Sequence, residues 1–274
     1  MTRSDMDVSA SVAAEAGQLL LELRDDFGPV DDKDRANELR KAADRASHEL
    51  IVARLAEARP GDVVLSEEGA DDPVRLTSDR VWIVDPLDGT WEYGQGRADF
   101  AVHVVLWSRD AGAPGGGILS AGTVDLPAQG LSRQVADAVL PTRGLPADRP
   151  VRIVASRTRP PATLDAAVAL LTATLAERGH SHGVEVMDVG SVGAKVNEIL
   201  SGRAEAYVHD TGFYEWDVAA PLSVAHAQGL VASHVDTSPI AFNQPRPDVT
   251  DRLVGIPALA EDLRDAMRAA AGSA

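Results

Sequence analysis

The 274-residue sequence contains no cysteine, which excludes disulfides, thiolate metal sites and a cysteine nucleophile. The same absence fits a reducing compartment, and the chain reads as cytoplasmic. Aromatic residues make up only 4% of the chain, leaving few stacking platforms for a nucleic-acid polymer. Cations are outnumbered, with 26 Lys and Arg against 42 Asp and Glu and a formal charge of −16. Such a surface repels nucleic-acid polymers and anionic membranes, and it also repels a phosphorylated metabolite unless cations are bound locally. No long uninterrupted apolar run occurs, and residues 1–27 carry acids throughout instead of a basic start before an apolar stretch. Neither a membrane span nor a signal peptide is therefore read.

What is present is enough to build a large core, since 45% of the residues are hydrophobic. Val8, Val12, Ala16, Leu19, Leu20 and Leu23 recur at helical spacing until Gly28-Pro29. Leu39, Ala43, Ala46, Leu50 and Leu55 predict a second helix ending before Pro60-Gly61. Short apolar runs at 63–65, 81–84 and 100–107 read as strands, and strand signals continue from Gly117 to about Val135. Residues 141–150, with Pro141, Gly144, Pro146 and Pro150, form the best linker. Beyond it the pattern alternates: strand 151–155, helix 164–176, strand 184–187, helix 191–200, strand 204–208, helix 216–227, strand 230–233 and helix 257–270. The expectation is an α/β chain of layered sheets with helices between and outside them. It divides into a half spanning 1–145 and a half spanning 146–274.

The segment richest in chemistry is Val81-Trp82-Ile83-Val84-Asp85-Pro86-Leu87-Asp88-Gly89-Thr90. An apolar strand ends in an aspartate, and a tight turn delivers a second one, then glycine and threonine. Proline fixes one backbone angle and glycine permits angles other residues avoid, so the turn can aim two carboxylates to one side. The amides of Gly89 and Thr90 can then point at an anion. Upstream, Val63-Val64-Leu65-Ser66-Glu67-Glu68 repeats the design, an apolar strand with acids at its end, and Glu215-Trp216-Asp217 places another aspartate at a helix start. Taken singly, these are a surface turn, a solvated acid pair and a helix cap. Gathered together, Glu67, Asp85, Asp88 and Asp217 would raise each other's pKa unless cations were bound, and oxygen ligands favour magnesium over zinc. Two residues separate Asp85 from Asp88, which rules out the Asp-x-Asp-Gly-Thr of aspartyl-phosphate enzymes. No Gly-x-Ser-x-Gly supports serine hydrolysis.

These motifs resemble the inositol monophosphatase superfamily of lithium-sensitive, magnesium-dependent phosphatases. Its pattern is a Glu-Glu after a strand, an Asp-Pro-(Ile/Leu)-Asp-Gly-Thr turn and a distant Trp-Asp, here Glu67-Glu68, Asp85–Thr90 and Trp216-Asp217. Within it, the Leu65-Ser66-Glu67-Glu68 and Glu-Trp-Asp spellings are most similar to the CysQ-type 3′(2′),5′-bisphosphate nucleotidases. Ser156-Arg157-Thr158-Arg159-Pro160-Pro161 and Val189-Gly190-Ser191 point to actinobacterial members. The resemblance implies an alternating αβαβα sandwich. It also implies that most metal ligands lie in the first half, and that the last ligand and the substrate contacts lie in the second.

By that resemblance, Glu67, Asp85 and the Leu87 carbonyl would hold a first magnesium, and Asp85, Asp88 and Asp217 a second, with Glu67 also touching a third. Asp44 and Thr90 would orient the attacking water, with Glu67 among the catalytic acids. Leu39-Arg40-Lys41 stands where the family usually has Pro-Val-Thr ahead of the alanines preceding that aspartate. Asp88, Gly89, Thr90, Ser156, Arg157, Ser191, Lys195 and Asp217 would contact substrate, with Arg157 meeting a second phosphate. The lysine-bearing segment Gly190-Ser191-Val192-Gly193-Ala194-Lys195 is one residue longer than in the family, and Val208-His209-Asp210 follows Tyr207 where many relatives carry an arginine. The implied reaction is hydrolysis of 3′-phosphoadenosine 5′-phosphate to AMP, in sulfate assimilation. The alternatives are an inositol 1-phosphate or fructose 1,6-bisphosphate phosphatase, or a non-catalytic phosphate binder. The implied partner is a small phosphorylated metabolite, a nucleotide first, for a monomer or homodimer.

Overall fold

The computed structural model describes residues 3–272. Two long helices open it, α1 (Asp5–Phe27) and α2 (Lys33–Ala58). Each is started by a side-chain cap: Ser4 accepts the Asp7 N–H and Asp32 the Arg35 N–H. Gly28, at φ 72°, ends α1 where the sequence places the stop.

A first sheet follows in chain order, built from β1 (Val63–Ser66), β2 (Arg80–Asp88), β3 (Ala101–Arg109), β4 (Gly117–Leu126) and β5 (Leu131–Gln134). The short helix α3 (Thr90–Gly94) interrupts it after β2. β1 runs parallel to β2 and the other pairs are antiparallel. The strand signal read from Gly117 to Val135 resolves into β4 and β5, broken by a helical turn at Pro127–Gln129.

The rest of the chain runs β6 (Val151–Ser156), α4 (Leu164–Glu177), β7 (Val184–Val189), α5 (Val192–Leu200), β8 (Ala206–His209), β9 (Phe213–Tyr214), α6 (Glu215–Ala227), β10 (Val231–Ser233), β11 (Asp248–Val249), β12 (Arg252–Gly255) and α7 (Pro257–Gly272). The second sheet has the order β10-β12-β8-β6-β7, with β9 and β11 forming a separate ribbon. β12 is absent from the sequence-based expectation. Four residues before a helix are too few to show a period, and only its place between β8 and β10 makes it a strand.

Strand alternation sorts the layers. Trp82 and Val84 on β2, with Val102, Val104 and Leu106 on β3, face α1 and α2. Val81, Ile83, Val105 and Trp107 point the other way, into a continuous core with Ala194 of α5 and Val218 and Leu222 of α6. That core passes on to Ile153, Val208 and Val254 of the second sheet and to Leu171, Leu259 and Leu263 of α4 and α7. The order is helix, sheet, helix, sheet, helix, the layering the resemblance implies. Among the described residues no helix is long and apolar enough to cross a membrane.

Candidate metal and phosphate site

Asp85 lies opposite His103 and Asp88 opposite Ala101, so three steps along β2 match two along β3. In a regular strand, residues three apart face opposite sides. The extra residue at Pro86-Leu87 is a bulge that turns Asp85 and Asp88 to the same side. Asp85 Oδ1 accepts the Leu87 N–H at 3.0 Å, and Ser47 on α2 donates its hydroxyl to the Pro86 carbonyl at 2.7 Å, pinning the turn. Gly89 follows at φ 91°, a conformation that favours glycine, and a Cβ there would come within 3.1 Å of the Asp99 carbonyl oxygen. The Thr90 hydroxyl donates to the Leu87 carbonyl at 3.2 Å.

Asp217 arrives from the other half of the chain in the first turn of α6, its Oδ2 accepting the Tyr214 N–H at 2.6 Å. Oxygens of Asp85, Asp88 and Asp217 lie within 4.8 Å of one another. Asp85 is 1% exposed and its Oδ2 has no hydrogen-bond partner. Burial, then the charges of Glu67, Asp88 and Asp217, push its carboxyl well above the ordinary range. Asp88 and Asp217 are each raised to about 6, with burial the largest cause in both. A buried carboxylate oxygen without a donor, facing two more carboxylates, is stable only with shared protons or a cation at its centre. All-oxygen ligands suit a hard divalent ion, so the residues fit the metal that the sequence implies.

Glu67, one residue beyond β1, lines the same cleft but lies outside the tight trio. Burial first, then Asp217, Asp44, Asp88 and Glu68, raise its pKa to about 8. Its side chain is nonetheless open to solvent, which tempers that rise. Asp44 stands on α2 near Glu67, raised to about 7 by burial and then by Glu68. The Thr90 hydroxyl, however, bonds Leu87 and not Asp44.

The cleft encloses about 230 Å³ where the ends of β1, β2 and β6 meet the starts of α5 and α6. A larger cavity of about 530 Å³ lies beside the α1–α2 connection, and among the described residues no trio of acids lines it. Ser191 caps α5 through the Ala194 N–H and is buried, as is Lys195, whose ammonium donates to the Gly190 carbonyl under the Tyr207 ring. Burial lowers the Lys195 pKa to about 8. Ser156 accepts the Arg159 N–H at 3.2 Å.

Arg157 sits differently from the substrate contact implied for it. Its guanidinium bonds Glu92 at 2.9 Å, Asp99 at 3.0 Å and the Asp188 carbonyl at 3.0 Å, and it does not line the cleft. Residues of this region that went unassigned from sequence include Trp91, Arg159 and Phe213 on the cleft wall and Arg252 beside Phe213. Trp91, 42% exposed, follows the turn on the cleft wall. Arg252 is buried on β12 opposite His209, donating from Nε to the Tyr207 hydroxyl at 3.1 Å and stacking 4.0 Å over Phe213. The neighbouring strand thus puts a cation beside Tyr207. Register alone reveals it.

Residues 2–268 match the model of the inositol monophosphatase family. The chain belongs to the inositol monophosphatase family. It is 41% identical over 254 residues to a 3′-phosphoadenosine 5′-phosphate phosphatase of Mycobacterium leprae, covering 90% of this chain and 88% of that one. It is 31% identical over 231 residues to the 3′(2′),5′-bisphosphate nucleotidase CysQ of Escherichia coli, covering 82% and 88%. Its fold superposes on the crystal structure of inositol monophosphatase-II from Staphylococcus aureus with a TM-score of 0.73, at 20% identity and 94% and 93% coverage. In this family member Asp85, Asp88 and Asp217 form a cluster that could hold a metal ion.

Proposed function

We propose that this phosphatase removes the 3′-phosphate of 3′-phosphoadenosine 5′-phosphate, releasing AMP, with magnesium held at the acid cluster. The observation that carries the reading is the convergence of Asp85, Asp88 and Asp217 within 4.8 Å around a buried, unpartnered carboxylate oxygen. Those three, with Glu67 and the Leu87 carbonyl, would hold two or three ions. A divalent ion held there would lower the pKa of a bound water and offset charge on the phosphate.

The remaining roles belong to the chain itself. The Gly89 and Thr90 amides, at the turn into α3, hold phosphate oxygens. Thr90 presents hydroxyl lone pairs that orient the attacking water, and Asp44, raised to about 7, takes its proton near neutral pH. Water adds to phosphorus as the bond to the ribose 3′-oxygen breaks, and no phospho-enzyme forms. The nucleotide, in preference to inositol phosphate, is supported by the kinship with the M. leprae and E. coli proteins named for nucleotide substrates. It is also supported by Trp91, whose exposed ring offers a base a stacking face at the cleft.

Phosphate release from the bisphosphate nucleotide, inositol 1-phosphate and fructose 1,6-bisphosphate, each with magnesium and with EDTA, tests the reading. Magnesium-dependent turnover with the highest kcat/KM on the nucleotide is expected. Preference for inositol 1-phosphate would replace the substrate, and turnover surviving EDTA would remove the metal.

A further inference from the structure

We propose that Arg159 is the clamp for the second phosphate of a bisphosphorylated nucleotide, an assignment that rests on the nucleotidase reading above. Two cations line the cleft, Lys195 and Arg159. Lys195 is 2% exposed, and its ammonium donates to the Gly190 carbonyl beside the Tyr207 ring. Arg159 is exposed, and among the described residues no carboxylate lies within ion-pair reach of it. In a protein with a formal charge of −16, this guanidinium puts a positive charge at the cleft that no carboxylate pairs.

Its position is also fixed. The guanidinium lies 4.7 Å over the Phe213 ring, a stacking that leaves its in-plane N–H donors free. The backbone N–H is tied to Ser156, and Pro160-Pro161 restrict the residue before them. Arg252, 4.0 Å from the same ring and fully buried with unpartnered terminal nitrogens, adds a second positive charge on this side of the cleft. With divalent ions bound, the acid trio would receive one phosphate, and the Arg159–Phe213–Arg252 stack offers a positive counterpart for another. Arg157, two residues earlier, is held by Glu92 and Asp99 and is spent. A guanidinium fork matches a phosphate dianion in two parallel hydrogen bonds.

The test compares two substrates that differ only in that phosphate, the 3′,5′-bisphosphate and 3′-AMP, at saturating magnesium and fixed ionic strength. Arg159→Ala should lower kcat/KM on the bisphosphate by about 10- to 100-fold, mainly through KM, while 3′-AMP changes less than about twofold. Arg159→Lys should recover part of the loss. Activity on 3′-AMP also reports that the variant is folded. Equal losses on both substrates, or none on either, would overturn the assignment while leaving a nucleotide-hydrolysing wild type in place. A wild type inactive on both nucleotides would overturn the nucleotidase reading and the clamp with it.

Discussion

The Gly193 N–H donates to Asp88 Oδ2 at 3.1 Å, joining the start of α5 to the Asp85–Thr90 turn across 105 residues of chain. Gly193 lies in the segment that is one residue longer than the family pattern, so the extra length still delivers an amide to the acid. A Cβ here would meet His103 Nε2 at 2.6 Å, Val124 Cγ1 at 2.7 Å and Ala101 Cβ at 2.9 Å. Gly193→Ala should therefore cost about 1–3 kcal/mol of stability by overpacking and push Asp88 out of register. Thermal melting and kcat should fall together; an unchanged kcat would show that Asp88 does not depend on this contact.

Asp88→Asn and Asp217→Asn each keep the side-chain shape while removing one charge from the trio. Each should reduce kcat at least about 100-fold at saturating magnesium. The metal-free variants should melt no lower than wild type, because one of three repelling carboxylates is gone. Isothermal titration with magnesium should show weakened binding, and full activity in either variant would remove that residue from the ligand set.

Metal-free stability should depend on pH with a definite sign. Asp88 and Asp217 at about 6 and Glu67 at about 8 titrate above the ordinary carboxylate range near 4. Between those limits the folded protein keeps protons that the unfolded chain has released, so stability falls as pH rises from about 4 to 8. Glu67 is open to solvent and contributes least. In EDTA the melting temperature should drop by roughly 5 °C between pH 5 and 8. Millimolar magnesium should flatten the curve by replacing those protons; parallel curves with and without metal would contradict the site.

Arg157→Ala should behave unlike Arg159→Ala. It unties the end of β6 from Glu92 and Asp99 and leaves the nearly buried Glu92 unpaired, at a cost of about 2 kcal/mol for a partly exposed guanidinium. Melting should fall by several degrees, and kcat/KM on the bisphosphate and on 3′-AMP should fall by the same factor. A loss confined to the bisphosphate would return Arg157 to the phosphate-binding role implied by sequence.

Much of the fold was legible because apolar periodicity is local. The helices of 5–27 and 33–58 and the strand of 81–84 announce themselves within one window, and their stops are written as Gly28-Pro29 and Pro60-Gly61. Short elements were not. α3 and β12 exist because neighbours complete them, and β12 carries Arg252 to Tyr207 only through the register of the second sheet. Ser156-Arg157-Thr158-Arg159 shows the same limit at a finer scale. Two arginines stand in one motif, and the sequence cannot say which is captured by acids from α3 and the loop before β3, and which stays at the cleft.

The order of residues determined the chemistry on offer: a strand ending in Asp85, a proline and a glycine that bend the chain, acids at 67, 88 and 217, and no thiol to compete. It determined the layering too, since alternation decides which face of a strand is apolar. Tertiary structure alone decided which of those groups meet. A bulge at Pro86-Leu87 swings Asp88 beside Asp85, and α6 brings Asp217 across from the far half of the chain. Distances between side chains far apart in sequence follow from packing, which no local pattern encodes.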